Sequence, residues 1–548
     1  MNAIDEARKS VERLSLSGRQ TLQTVIEQFG MLPFHDEQLL RYVHPGYSGA
    51  EYRLGMLELE LAGLVKGYRK GWGDKVYLIP PRQFRGCWQA VSRIEAPDAI
   101  DESMVLYNLS NEEAPIPFGE RLMHGLAEVA KCGLAQTAKG SWPKRTVERV
   151  VRALAMKEDE LDPLHLAARE PGCPLPFALF LDFAVCEGWL VQEGREYRLD
   201  VRRLLLWLKR TQADRDRTLA IFWTETYSAA EPSLAKAAAF VAEWPCDRWY
   251  SPAVVAVSDH ALVKSITAWC RLMANLGWME EAALFDGQQV YRWTVDLNED
   301  IAEPAETLYA RIAPDGDIFV PREASQIASF GLELIARRAT SDFVVVYRLE
   351  SDSVRKAIES GVSSKQVFDF LTAVSGEEVP AALAVAIEGW ISEAAGSIRE
   401  KGKSHGFAVS LSDLMRDEIE PSPATPTPGG RPVLLPHDTN GMTELKPADP
   451  AIHFQGLDSL PVSWRSQMRA YHPSTRRELV ERALSWRTAV KLTIRGEVVP
   501  FIPDKLVEDE GGWCVSGDLR WDGQVERTQL TPHMWDEMML LIPEFTKH

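Results

Sequence analysis

Three stretches of the chain repeat one pattern of apolar and polar positions. Each is a helical stretch, then a glycine, then an apolar extended segment that returns as a second strand: "LELELAGLV" then "KVYLIP", "FAVCEGWLVQ" then "REYRLD", and "LMANLGWMEE" then "QVYRWT". Gly63, Gly188 and Gly277 end the helical patterns, Leu64, Trp189 and Trp278 begin the extended ones, and Tyr77, Tyr197 and Tyr291 lie in the return strands. The copies are unequally spaced, which predicts three duplicated small units rather than a solenoid of fixed period. A helix followed by a two-stranded hairpin predicts winged-helix-like units. "KGYRKGWGDK", residues 66–75, is then the first wing.

Further along the pattern changes. "DGDIFVP" predicts a strand ending at Pro321, "REASQIASFGLELIARR" a helix and "SDFVVVYRL" another strand. "ESDSVRKAIESG" opens with capping residues, repeats apolar positions at Val354 and Ile358, and stops at Gly361, which predicts an amphipathic helix. "SSKQVFDFLTAVS" predicts a helix buried through Val367, Phe370 and Leu371, and "VPAALAVAIEGWISEAAG" one anchored by Trp390. Prolines and glycines dominate residues 419–450, where only "PVLLP" suits an extended docking strand. "STRRELVERALSWRTAVKLTIRG" predicts a helix leading into a strand, followed by short strands of a small β-rich, barrel-like module.

The expected fold class is multidomain α+β: several winged-helix-like units, a small α/β domain and a C-terminal β-rich module. The boundaries are a winged-helix-like unit at 1–95, a helical and winged-helix-like unit at 96–210 and a third such unit at 211–304. The α/β domain covers 305–418, a Pro/Gly-rich linker or docking segment 419–470, and the β-rich module 471–548.

Composition narrows the function classes. The chain has 548 residues, 45% hydrophobic and 26% charged, as a folded chain of several domains requires. Against 79 Asp and Glu stand 61 Lys and Arg, a formal charge of -18, so any attraction to nucleic acid comes from a local patch. Seven scattered cysteines form no pair with zinc-ligand spacing, and reduced thiols are expected. "MNAIDEARKS" lacks the features of a secretory signal and no apolar run is long enough for a membrane span, so the expectation is a cytoplasmic protein with no membrane partner.

Three basic groups are candidate DNA contacts. The first wing carries Lys66, Arg69, Lys70 and Lys75 around Trp72. The tryptophan either stacks on a base or sugar while the cations meet phosphates, or pins the wing against its helix. The preceding helix is poor in donors, with Glu51, Glu58 and Glu60 beside Arg53. The second group, Lys144, Arg145 and Arg149, reads first as an ordinary solvated helix face and second as a set of phosphate contacts. The third, Arg476, Arg477, Arg482 and Arg487, is the strongest positive island in the chain.

No catalytic constellation is expected. Asp504, Glu508, Asp509 and Glu510 read as a polar turn, Cys514 as a buried strand residue with no evident link to His533, and His35, Asp36 and His44 as no ligand set. No GxxxxGK[ST] phosphate loop is present, so no motor is expected, and with no ligand set or binding motif neither a cofactor nor a metal is expected.

Two stretches resemble known families. Residues about 305–415, through "APDGDIFVPREA", "YRLESDSVRKAIESGVSSKQVFDFLTAVSGEEVP", "AIEGWISEAAGSI" and "GFAVSLSDL", resemble the N-terminal helicase-associated domain of XPB-type DNA repair and transcription helicases. Residues about 474–540 resemble the WYL-like modules of bacterial regulators, with Trp513, Cys514 and Val515 in place of the Trp-Tyr-Leu run. The resemblance implies a DNA-transaction context. The expected function is a noncatalytic DNA-associated accessory that binds double-stranded or forked DNA, or docks a separate helicase or nuclease. The alternative is a protein-interaction scaffold or transcriptional regulator that does not bind DNA directly.

Overall fold

A computed structural model describes residues 3–92, 97–106, 115–253, 260–298, 309–321, 324–341, 344–401, 409–415, 431–447, 454–509, 512–521 and 524–543. Within the predicted linker, residues 419–430 and 448–453 lie outside this set, as does Glu510. The chain forms two compact units that interleave in sequence: residues 1–95, 228–240 and 436–548 in the first, and 96–227 and 241–435 in the second.

In the first unit, helix Gly49–Leu61 starts at a capping box, with Ser48 and Glu51 bonding each other's backbone N–H groups. It ends before Gly63, whose φ of 72° is costly for any residue with a Cβ. The chain then turns into an antiparallel hairpin, Lys66–Arg69 against Lys75–Leu78. A third strand, Thr443–Leu445, pairs with the outer edge of Lys66–Arg69. Helix Pro473–Trp486 leads into a five-stranded antiparallel sheet ordered Gln524–Leu530, Gly512–Trp521, Glu497–Asp509, Val490–Ile494 and Met538–Leu540. Leu479, Trp486, Val490, Phe501, Val515 and Trp535 form its core, which takes in Ala50 and Leu54 of helix Gly49–Leu61. The β-rich C-terminus is therefore packed into the same unit as the N-terminal helices, because they share one apolar cluster.

The second unit holds the other two copies of the repeat. Helix Leu175–Cys186, buried along nearly its whole length, meets Gly188 at φ 70° and the hairpin Leu190–Glu193 with Glu196–Leu199. Helix His260–Asn275 meets Gly277 at φ 82° and the hairpin Met279–Leu284 with Gln289–Trp293. Phe118, Trp223 and Trp278 meet edge to face at centroid separations of 5.1–6.0 Å, joining the helices to the third copy. From "RPVLLP", Val433–Leu434 pairs with Ala167–Ala168, as an extended docking strand would.

Residues 311–414 of this unit form a four-stranded antiparallel sheet ordered Arg311–Ile312, Asp317–Pro321, Val344–Arg348 and Arg337–Ser341. Helix Ser351–Glu359 follows the strand as its pattern predicts, capped by Glu350 and Ser353, with Val354, Ala357 and Ile358 buried. The expected helix over 322–338 is shorter, Gln326–Ile335. Ala336 is extended and Arg337–Ser341 pairs with Val344–Arg348, so strand pairing overrides the apolar helical run. Helix Ala381–Lys401 buries Leu383 and Ile387, while Trp390 is only half-buried.

Candidate nucleic-acid interface

The first hairpin turns through Lys70, Gly71, Trp72, Gly73 and Asp74, with the Gly73 N–H donating to the Lys70 carbonyl at 2.9 Å and Gly71 at φ 56°. This turn lifts Trp72 clear of the fold, and its side chain is fully exposed, 105% of the reference value. The pinned alternative is absent from the structure. Arg69 and Lys70 beside it are exposed, and no ion pair among the described residues engages either.

The other two wing cations are used locally. Lys66 lies 3.0 Å from Glu444 of the added strand. Lys75 sits 2.8 Å from Glu60, both largely shielded from water, and 4.3 Å above the Tyr77 ring. Burial raises the Glu60 carboxyl pKa, and the Lys75 hydrogen bond opposes that shift. The acids of helix Gly49–Leu61 are likewise engaged. Glu58 accepts from the Ser15 N–H at 2.8 Å and Ser15 hydroxyl at 2.6 Å, and Glu51 closes the capping box. These carboxylates hold the fold together, so they say little against nucleic acid at the hairpin tip.

Lys144, Arg145 and Arg149 lie on helix Lys144–Leu154, whose buried face is Val147, Val150 and Leu154. Lys144 and Arg145 are exposed, with Glu148 3.8 Å from Lys144. Arg149 instead turns to Glu128, 2.6 Å away, and lines an open cleft of about 460 Å³ against residues of the 311–414 domain. The cleft's cations alternate with acids: Arg337 lies 2.6 Å from Glu350, Lys356 2.6 Å from Asp352, and Lys131 3.7 Å from Glu333. Beside it, burial, with the nearby charges of Arg338 and Lys131, holds the His124 imidazole well below its usual pKa range.

The C-terminal island is partly engaged by the fold, while Arg487 is exposed. Arg476 donates to the carbonyls of Tyr471 at 2.8 Å, Trp535 at 2.6 Å, Asp536 at 2.9 Å and Pro532, acting as a clamp between helix and sheet. Arg477 pairs with Glu481 at 2.8 Å and Glu508 at 2.5 Å. Arg482 lies 5.5 Å from the Trp486 ring centroid. Arg487 ends its helix at φ 53°, with its carbonyl accepting the Ala50 N–H at 2.9 Å. Sequence reasoning missed Arg53 in this setting: its guanidinium pKa is lowered by burial and then by Arg487. Only the fold brings those two cations together.

Among the described residues, no group of three or more His, Cys, Asp or Glu is arranged to hold a metal, and no helix is long and apolar enough to cross a membrane. Cys514 is buried on strand Gly512–Trp521, its thiol 3.7 Å from the Val507 carbonyl.

Residues 311–414 match the family described as helicase conserved C-terminal domain. A helicase-associated domain is thus present, and it coincides with the four-stranded sheet and its helices. No curated protein shows a significant match to the chain.

Proposed function

We propose that this protein is a noncatalytic accessory of helicase or other DNA-processing machinery, contacting DNA through the tip of its first hairpin. One observation carries the DNA part: in a chain of charge -18, Arg69, Lys70 and a fully exposed Trp72 meet at one turn, the two cations without an ion-pair partner among the described residues. Cations at that spacing meet phosphates while an exposed indole stacks on a base or sugar. The helicase-associated domain at 311–414 supplies the context, and a separate helicase or nuclease is the expected protein partner. On this reading the three helix–glycine–hairpin copies are winged helices and the domain is XPB-like. The chain lacks a phosphate loop of its own, which supports an accessory role.

The test is fluorescence anisotropy of the full chain with duplex, single-stranded and forked DNA at low and near-physiological salt. Saturable binding with a fork preference is expected. Arg69→Glu with Lys70→Glu should reduce the salt dependence, and Trp72→Ala should weaken binding by about 1–3 kcal/mol for a stacked base. The engagement of Arg476 by carbonyls and of Arg477 by carboxylates of the same chain favours a second reading, a scaffold or transcriptional regulator that binds protein instead. Absence of binding to all three DNAs by the folded chain decides for it.

A further inference from the structure

The three hairpins differ at one edge. In the first, the outer edge of Lys66–Arg69 is covered by Thr443–Leu445, antiparallel, with Gly67, Tyr68 and Arg69 opposite Leu445, Glu444 and Thr443. In the third, the outer edge of Met279–Leu284 is covered by Val105–Leu106, opposite Leu284 and Ala283. Both additions come from distant parts of the chain, and both sit on the first strand of the hairpin, near its tip. In the second hairpin, Leu134–Ala135 pairs with the return strand Glu196–Leu199, and the strand order leaves Leu190–Glu193 at the margin of its sheet. Among the described residues no strand pairs with that margin.

The hydrogen-bond phase shows what the margin offers. The Asp200 N–H donates to the Trp189 carbonyl at 2.8 Å, so the alternation of an antiparallel ladder turns Val191 and Glu193 toward the return strand. Leu190 and Gln192 therefore turn away from the return strand; Leu190 is fully buried, so the partly exposed Gln192 is the residue that presents its N–H and C=O at the margin. The third hairpin has the same phase, with the Thr294 N–H on the Trp278 carbonyl at 3.0 Å, and there the outward residue Ala283 is one that the added strand covers.

We propose that the outer edge of strand Leu190–Glu193, at Gln192, is a docking site for one extended segment of a partner protein, added antiparallel as a fourth strand. The sister hairpins argue for the class of occupant, since each receives a single short extended segment at this place. The side chains argue for its chemistry. Val191 is half-buried and Glu193 exposed on one face of the hairpin, and Glu193 lies 3.0 Å from Arg198, which also reaches Glu196 at 3.6 Å. Two carboxylates thus share one guanidinium. An antiparallel guest meets this face with a basic residue opposite Glu193 and, two residues later, an aliphatic residue opposite Val191. The first hairpin provides the charge-reversed precedent, where Glu444 of the guest strand pairs with Lys66 of the host.

The experiment uses the full chain and a fluorescein-labelled pentapeptide, Thr-Lys-Thr-Val-Thr, followed by anisotropy. Saturable binding is expected, weakened at least tenfold by Gln192→Pro, which removes an outward N–H and leaves the ladder to the return strand intact. Glu193→Lys should also weaken it and transfer preference to Thr-Glu-Thr-Val-Thr. Unchanged circular dichroism and melting temperature show that each variant is folded. In hydrogen exchange, the Gln192 amide of the free chain should exchange faster than those of Val191 and Glu193, and slow when peptide is added. No saturable binding up to about 1 mM peptide overturns the proposal, as does binding indifferent to Gln192→Pro. So does protection of the Gln192 amide in the free chain: protection that grows with protein concentration assigns the edge to a second copy, and protection that does not assigns it to the chain's own residues.

Discussion

Replacing Arg431 with alanine should destabilise the second unit by about 3 kcal/mol, the lower end of the range for removing one partner of a buried ion pair. Asp182, on helix Leu175–Cys186, has no exposed side-chain surface, whereas Arg431 retains 24%. The Arg431 guanidinium grips both carboxylate oxygens, Nε to Oδ1 at 3.0 Å and the second nitrogen to Oδ2, while the Tyr227 hydroxyl donates to Oδ2 at 2.8 Å. Burial, then the Asp182 charge, hold the Tyr227 phenol well above its usual range, so it remains a donor at working pH. Without Arg431 the carboxylate keeps that one neutral donor in a dry site, and water entering from the partly exposed Arg431 side limits the penalty. Two residues on, Val433 is fully buried beside the Ala167–Ala168 strand, so the same change loosens the attachment of the 431–435 segment. Urea unfolding followed by far-UV circular dichroism measures the loss, with the m-value unchanged. In a double-mutant cycle, Asp182→Asn with Arg431→Ala should fall at least about 1 kcal/mol short of the sum of the single changes. A loss below about 0.5 kcal/mol for Arg431→Ala, or simple additivity in the cycle, would refute the view that a buried carboxylate anchors the segment.

Three other outcomes are expected. Arg476→Ala leaves carbonyls of four residues without their donor and should lower the melting temperature of the first unit, by about 2–3 kcal/mol in stability, with Arg476→Lys recovering little because an ammonium cannot fork. Asp216 is buried, which raises its pKa to about 6 against the opposing pull of Arg215. Its folded state therefore holds a proton that the unfolded chain has released, stability falls as pH rises from about 4 to 6, and Asp216→Asn should flatten that part of the stability–pH curve. In Gly331→Ala the new Cβ would lie 2.1 Å from the Phe370 ring, so helices Gln326–Ile335 and Ser364–Ser375 must separate; about 1–3 kcal/mol of destabilisation, read by thermal melting, is expected.

The sequence by itself determined the elements whose causes are local. The three helix–glycine–hairpin copies were legible because a helix that stops at a left-handed residue and turns into a strand calls for glycine, and Gly63, Gly188 and Gly277 all adopt positive φ. Helix Ser351–Glu359 was legible for the same reason, from its caps and its stripe of Val354 and Ile358. Where the local signal conflicted with a distant one, as at Arg337 and Arg338, the helical reading ran on into a strand. The tertiary structure alone decided which charges are free. Nothing near Arg476 in the chain announces the carbonyls of Pro532 and Trp535, and nothing near Lys66 announces Glu444. Arg69, Lys70 and Trp72 stand apart because a tight hairpin turn holds them away from the fold. Charge content is a property of composition, but a cation's availability depends on which acids and carbonyls the folded chain brings within a few ångströms, and those partners lie 56 and 59 residues away for Arg476 and 378 away for Lys66.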